Sequence, residues 1–235
     1  MFRCSLSGVQ FECKTVYAGS MHETAAATAE VDNSARPYHH GALRSELIAE
    51  SLKTISERGV AAVSLRQLAR DAGVTPAAPY HHFPDRAALF AAIIAEGHTL
   101  LYKRLGDAVS VAVDATAALR DMLVAYARFA ADHPAHMRVM LRPEAGDPAR
   151  HPEVADTRAV DLLRATVVAA QREGALPNAD PEPWVQLFWS LAVGYVTLWV
   201  DGPVEARCHA LGTTPEEMIE RVGDAIASLL RRPRG

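Results

Sequence analysis

Between Ser64 and Asp85 the chain is interrupted too often to hold a helix of ordinary length, and the interruptions prescribe a geometry. Ser64-Leu65-Arg66-Gln67 has the form of a capping box, in which the Ser64 hydroxyl caps the N3 amide and Gln67 reaches back. The helix it opens runs only to Ala72, because Gly73 breaks it. Thr75-Pro76 then reads as an N-cap followed by proline at the first helical position, and the second short helix ends near His82-Phe83-Pro84. Two short helices joined this way must cross steeply and touch. Ala69 is small where they approach, Gly73 suits a residue at positive φ, and Leu68, Ala72 and Val74 are apolar where they face a core. The spacing is that of a helix-turn-helix over residues 64–82.

The flanks supply the rest of an all-α chain. Leu43, Leu47, Ile48, Leu52 and Ile55 recur at helical spacing from Ala42 to Arg58, and Gly59 stops that helix. Asp85 caps a long helix expected over 85–106, with Leu89, Phe90, Ile93, Ile94, Leu100 and Leu101 on its apolar side. Further helices are expected over 115–132, 135–141 and 153–173, with the proline-rich segment 142–152 as a loop. Asp180-Pro181 opens an apolar helix that ends at Asp201-Gly202, and the box Thr214-Pro215-Glu216-Glu217 opens a last helix to about Arg231. Residues 1–37 lack helical periodicity and are expected to be a flexible arm.

Charge is divided unevenly. Residues 36–104 carry a net of +3 and residues 105–235 a net of −5, within a total of −4, which suits contact with a polyanion at one end only. Cys4, Cys13 and Cys208 form no disulfide framework, so a reducing cytoplasm is expected; Cys208 is either an inert thiol or a redox sensor. The apolar run Trp184 to Val200 contains Gln186, Ser190 and Gly194 and reads as a buried helix rather than a membrane span. The pairs His39-His40 and His81-His82 have no acidic or cysteine partner at ligand spacing, so no metal site is expected. An enzyme on a helical bundle would need a Glu-x-x-His pair, a glycine-rich phosphate loop or Gly-x-Ser-x-Gly, and none of these is present.

The segment from Tyr38 to about residue 95 resembles the TetR family of bacterial transcription regulators. The resemblance is carried by Tyr38-His39-His40-Gly41, Ser64-Leu65-Arg66-Gln67-Leu68-Ala69, Gly73-Val74-Thr75, Ala78-Pro79-Tyr80-His81-His82-Phe83-Pro84-Asp85-Arg86 and Leu89. It implies an N-terminal three-helix DNA-binding domain over 38–84 and a C-terminal helical domain over 85–235 that dimerises and binds an effector. Arg86 stands where the family most often has Lys, and Pro79 sits inside the recognition helix.

By position, Thr75, Ala77, Ala78 and His81 are the candidates for base edges in the major groove, and Arg66 for a guanine edge or a phosphate. Ser64, Tyr80, His82 and Arg86 are candidates for the DNA backbone, with Arg44, His39 and His40 gripping phosphate from the first helix. Tyr80 packing on Phe83, and His82 packing within the turn, are the alternatives. The dimer interface is expected from Trp184, Trp189, Tyr195 and Trp199 of the apolar helix with Met218, Val222, Ile226 and Leu229 of the last one. Effector-lining candidates are Tyr102, Leu123, Tyr126, Phe129, Met137, Met140 and Phe188, each of which could equally be plain core; an aromatic and methionine lining suits an apolar or amphipathic molecule. The expected partners are a palindromic operator in double-stranded DNA, a small-molecule effector and a second copy of the chain, with no cofactor, no membrane and no enzymatic activity. Release of a repressor from DNA is the expected mode. A ligand-binding or adaptor protein that has lost DNA binding is the alternative outside the regulators.

Overall fold

The apolar stripe of the first helix does what its spacing demands. α1 (His40–Arg58) buries Leu43, Leu47, Ile48 and Ile55 and stops at Gly59, which adopts φ +82°. The structure, a computed structural model, describes residues 40–200 and 202–231; the expected arm over 1–37, His39, Cys4 and Cys13 lie outside the described residues.

α2 (Leu65–Asp71) begins where expected but without the predicted box. Ser64 takes the extended backbone of an N-cap, yet its hydroxyl makes no capping bond. Gln67 is drawn down its own helix instead: it donates to Asp71 Oδ1 at 2.6 Å and accepts from Arg70. Neighbours three and four residues on lie on the same face and compete with the reach back. Gly73 takes φ +67°, where a Cβ would be strained, so the tight turn holds as read.

The second short helix is not an α-helix. Residues 78–81 form a 3₁₀ turn preceded by a hydrogen-bonded turn at Pro76-Ala77. The reason is the two prolines. Neither Pro76 nor Pro79 has an N–H to donate, so the α-helical ladder cannot propagate. Shorter bonds take its place: Ala78 N to Thr75 O at 3.0 Å, Tyr80 N to Ala77 O at 3.1 Å and His82 N to Pro79 O at 3.0 Å. Thr75 thus accepts through its carbonyl.

α3 (Arg86–Val111) is capped by Asp85, whose side chain accepts from Ala88 N at 2.9 Å. It continues five residues beyond the expected end. The interior glycine Gly106 costs the helix only about 1 kcal/mol, and burial of Leu105 offsets that. At 26 residues α3 is about 39 Å long and belongs to two cores. Leu89, Phe90, Ile93 and Ile94 join α1, α2 and Phe83 in the first. Leu101 and Leu105 join Leu123, Phe129, Met137, Val196 and Ile219 in the second.

The second core is made by α4 (Ala115–Asp132), α5 (Pro134–Met140), α7 (Glu182–Val200) and α9 (Pro215–Leu230) around the distal half of α3. α4 crosses α9 closely because Gly223 leaves room for the Arg120 stem: a Cβ there would lie 3.1 Å from Arg120 Cγ. Arg120 then reaches Asp224 at 2.9 Å. α9 opens with the capping box as read, Thr214 Oγ1 accepting from Glu217 N at 3.1 Å and Glu217 accepting from Thr214 N at 3.2 Å. α6 (Arg158–Arg172) starts later than expected, because Pro152–Ala155 is a separate 3₁₀ turn and Asp156 is extended. It packs with Leu119, Val185 and Phe188 in a third cluster. α8 (Val204–Ala210), which periodicity did not indicate, tucks in Val204 and the free thiol of Cys208. Among the described residues there is no strand.

Candidate DNA-reading face and ligand sites

The 3₁₀ turn is anchored on one side and open on the other. Pro79 is buried and Ala78 packs partly against the first core, so Ala78 is less available for a base contact than its place in the motif suggested. Thr75, Ala77, Tyr80 and His81 are exposed, Tyr80 at 44%. Ser64 and Arg66 are exposed at the start of α2, on the adjoining element. These exposed side chains lie on a segment backed by the first core. His82 is half-buried beneath it.

Two arginines assigned to phosphate also have contacts inside the protein. Arg44 is exposed on α1, its guanidinium 5.3 Å from the centre of the Phe83 ring. Arg86 donates to the Val60 carbonyl at 3.1 Å and lies 4.8 Å from the Phe90 ring. Arg86 therefore braces the head on α3. A second brace was not legible in the sequence. Arg150, in the segment read as a loop, meets Asp85 at 2.8 Å and Asp147 at 2.6 Å. The bond from Ala88 N and the Arg150 guanidinium together hold the Asp85 carboxyl below the usual range. No local pattern marks a pairing across 65 residues.

The candidate effector residues are not all brought together. Leu123, Phe129 and Met137 are buried in the second core, where Tyr126 and Met140 pack against them. The Tyr126 hydroxyl lies 4.0 Å from Met137 Sδ, and burial pushes its pKa up to about 12. Phe188 sits instead in the third cluster, and Tyr102 is exposed beside the Arg158 guanidinium, 5.2 Å away. A cleft of about 610 Å³ lies elsewhere, on the outer side of α3 between Arg44, the 82–84 turn and the 151–153 segment.

The candidate interface residues also divide. Trp189 and Leu229 are exposed, at 45% and 63%, and so are Leu187 and Leu198 on α7. Trp184 packs partly against the third cluster, and Tyr195, Trp199, Val222 and Ile226 partly against the second. Met218 is half-buried. Tyr195 donates to the Pro215 carbonyl at 2.6 Å and meets Trp199 edge-on at 6.0 Å. α7 is long and apolar enough to cross a membrane by length and composition, and only 22% of that stretch is buried within the chain.

Comparison with known proteins matches both halves of this arrangement. Residues 47–93 match the model of the bacterial regulatory proteins of the tetR family, and residues 119–226 that of the tetracyclin repressor-like C-terminal domain. The chain is similar to the HTH-type transcriptional regulator BetI of Rhizobium meliloti, with 37% identity over 85 residues; the match covers 36% of this chain and 40% of that protein. Among solved structures it is similar to a protein of unknown function from Rhodococcus sp. RHA1, with 30% identity, a TM-score of 0.66, and coverage of 84% of this chain and all of the other. It shares its fold with a TetR family regulator, PfmR, from Thermus thermophilus, at 24% identity and a TM-score of 0.61 over 79% of this chain and 99% of that one.

Proposed function

We infer the function from this premise: the chain belongs to the TetR family and is a DNA-binding transcriptional regulator. We propose that it acts in the cytoplasm as a homodimeric repressor, set on a palindromic operator and released by a small apolar or amphipathic effector. The observation that carries the reading is the exposed set Thr75, Ala77, Tyr80 and His81 on a segment whose inner side, Pro79, is buried, with Arg66 exposed on the adjoining α2. Such a surface enters the major groove, with Thr75, Ala77 and His81 at base edges and Ser64, Arg66 and Tyr80 toward phosphate. Two copies read half-sites about 34 Å apart, or a multiple of that.

The second copy covers the apolar face that one chain leaves bare. Leu187, Trp189 and Leu198 of α7 and Leu229 of α9 are too large and too exposed for a monomer to carry at no cost. Two helices from each protomer form a four-helix interface. The effector acts through α3, which is continuous from the Asp85 cap to the second core, and it shifts DNA affinity only by binding one head spacing better than the other.

A gel shift on the gene's own upstream DNA tests the reading. Binding is expected to fall steeply with salt and to drop by about tenfold or more in Arg66→Ala and in Tyr80→Ala. Unchanged affinity in both variants sinks it. Leu198→Asp is expected to give monomers by sedimentation; a dimer that persists moves the interface off α7.

A further inference from the structure

We propose that the cleft along the outer side of α3 is a ligand site for a small organic ammonium ion with an apolar body, separate from the packed second core. The cavity comes first. At about 610 Å³ it falls in the size range that holds a small organic molecule. Its floor is Ala88, Ala92 and Ala95, successive positions on one face of α3, closed at the head end by Phe83 and Pro84. That surface is apolar and low, so it takes the body of a ligand rather than a polar group.

The charges decide which head group fits. Two arginines near the cleft are paired with carboxylates, Arg150 with Asp85 and Asp147 and Arg158 with Asp156 at 2.5 Å, and Arg44, which lines it, is stacked on Phe83. Glu96 and Glu153, which line the cleft, are not matched by a guanidinium. The partner of Glu96 is the imidazole of His136 at 3.1 Å, and that of Glu153 is His151 at 3.4 Å. Burial keeps the His136 pKa below its ordinary value, which disfavours an imidazolium beside Glu96. Two half-exposed carboxylates beside an apolar floor attract a protonated amine. A carboxylate ligand would face both glutamates and the single cation of Arg44, whereas an ammonium with its tail toward Pro84 meets two carboxylates.

The site touches the DNA-reading head directly. His82, Phe83 and Pro84 follow the 3₁₀ turn without a break, so a tail lodged there alters the seat of that turn. The binding claim itself does not depend on the DNA-binding reading, and the two are measured apart.

The experiment titrates hexylammonium chloride into the full-length protein by calorimetry, with hexanoate and hexanol as charge-reversed and neutral probes. Saturable binding of hexylammonium is expected, with hexanoate weaker by at least about tenfold. Glu96→Gln and Glu153→Gln together are expected to remove the preference of hexylammonium over hexanol. Ala95→Phe, which fills the floor from a half-exposed position, is expected to abolish binding of both. Circular dichroism and a thermal melt identify a variant that has not folded, and Ala92→Leu then takes its place as the filling variant. Equal binding of hexanoate, or undiminished binding in a folded filling variant, overturns the proposal. Loss of operator binding alone, with the ammonium titration intact, leaves this site standing and falls on the regulator reading.

Discussion

The two halves of α3 are built to different standards. In the half next to the head, Leu89, Phe90, Ile93 and Ile94 are each at most 1% exposed, and the start is fixed by the Asp85 cap, the Arg86 brace and Arg150. In the distal half, Leu101 and Leu105 are buried, but Leu100, Tyr102 and Lys103 face outward and Gly106 has open space beside it. The half next to the head is thus pinned by a cap, a brace and four fully buried side chains, and the distal half by Leu101 and Leu105 with its other side exposed.

The largest expected effect tests the clamp. Phe90→Ala should cost about 3–5 kcal/mol in urea unfolding, against about 1 kcal/mol or less for Tyr102→Ala, which gives up an exposed cation–π contact. Similar losses in the two variants would erase the distinction. Glycines sharpen it next. A Cβ at Gly146 would meet Val154 Cγ2 at 2.9 Å, Ile94 Cδ1 at 3.0 Å and the Ala91 backbone at 3.3 Å, so Gly146→Ala should destabilise by about 1–3 kcal/mol. Gly106→Ala meets nothing within 4 Å and should stabilise by about 0.5–1 kcal/mol; thermal melts of the pair must move in opposite directions. Asp85→Ala should cost about 1 kcal/mol for the lost cap.

The smallest expected effect is a pH dependence. His98 and His136, on α3 and on α5 against it, both have pKa values lowered by burial. The unfolded chain binds their protons more readily, so acid favours unfolding. Stability from these two is complete well above the ordinary imidazole value of 6.5 and is eroded as pH falls through it. Replacing both with Gln should flatten the urea midpoint between about pH 7.5 and pH 5.5; an unchanged slope would exclude them as its source.

Local chemistry made much of this chain readable. Gly59 and Gly73 stop helices at positive φ, Asp85 and Thr214 cap them, and the stripe from Leu43 to Ile55 is buried as its period requires. The expected limits of α4, Ala115 and Asp132, are those observed. The errors came where two local options compete at similar energy. Gln67 had partners both behind and ahead of it, and Pro76 with Pro79 left the turn open to an α or a 3₁₀ reading, which only the actual backbone bonds distinguish. The candidate effector residues divided because periodicity says that Phe188 is buried, not which cluster buries it.

What the sequence determined by itself is where the backbone must turn, stop and show an apolar side, since those depend on φ preferences, missing donors and caps within a few residues. The tertiary structure alone decided the pairings of Arg150 with Asp85, Glu96 with His136 and Arg120 with Asp224, and the cleft along α3 that Glu96 lines. Each joins residues at least 40 apart, and their proximity is set by how whole helices pack, a balance of buried area and shape that no short stretch of chain contains.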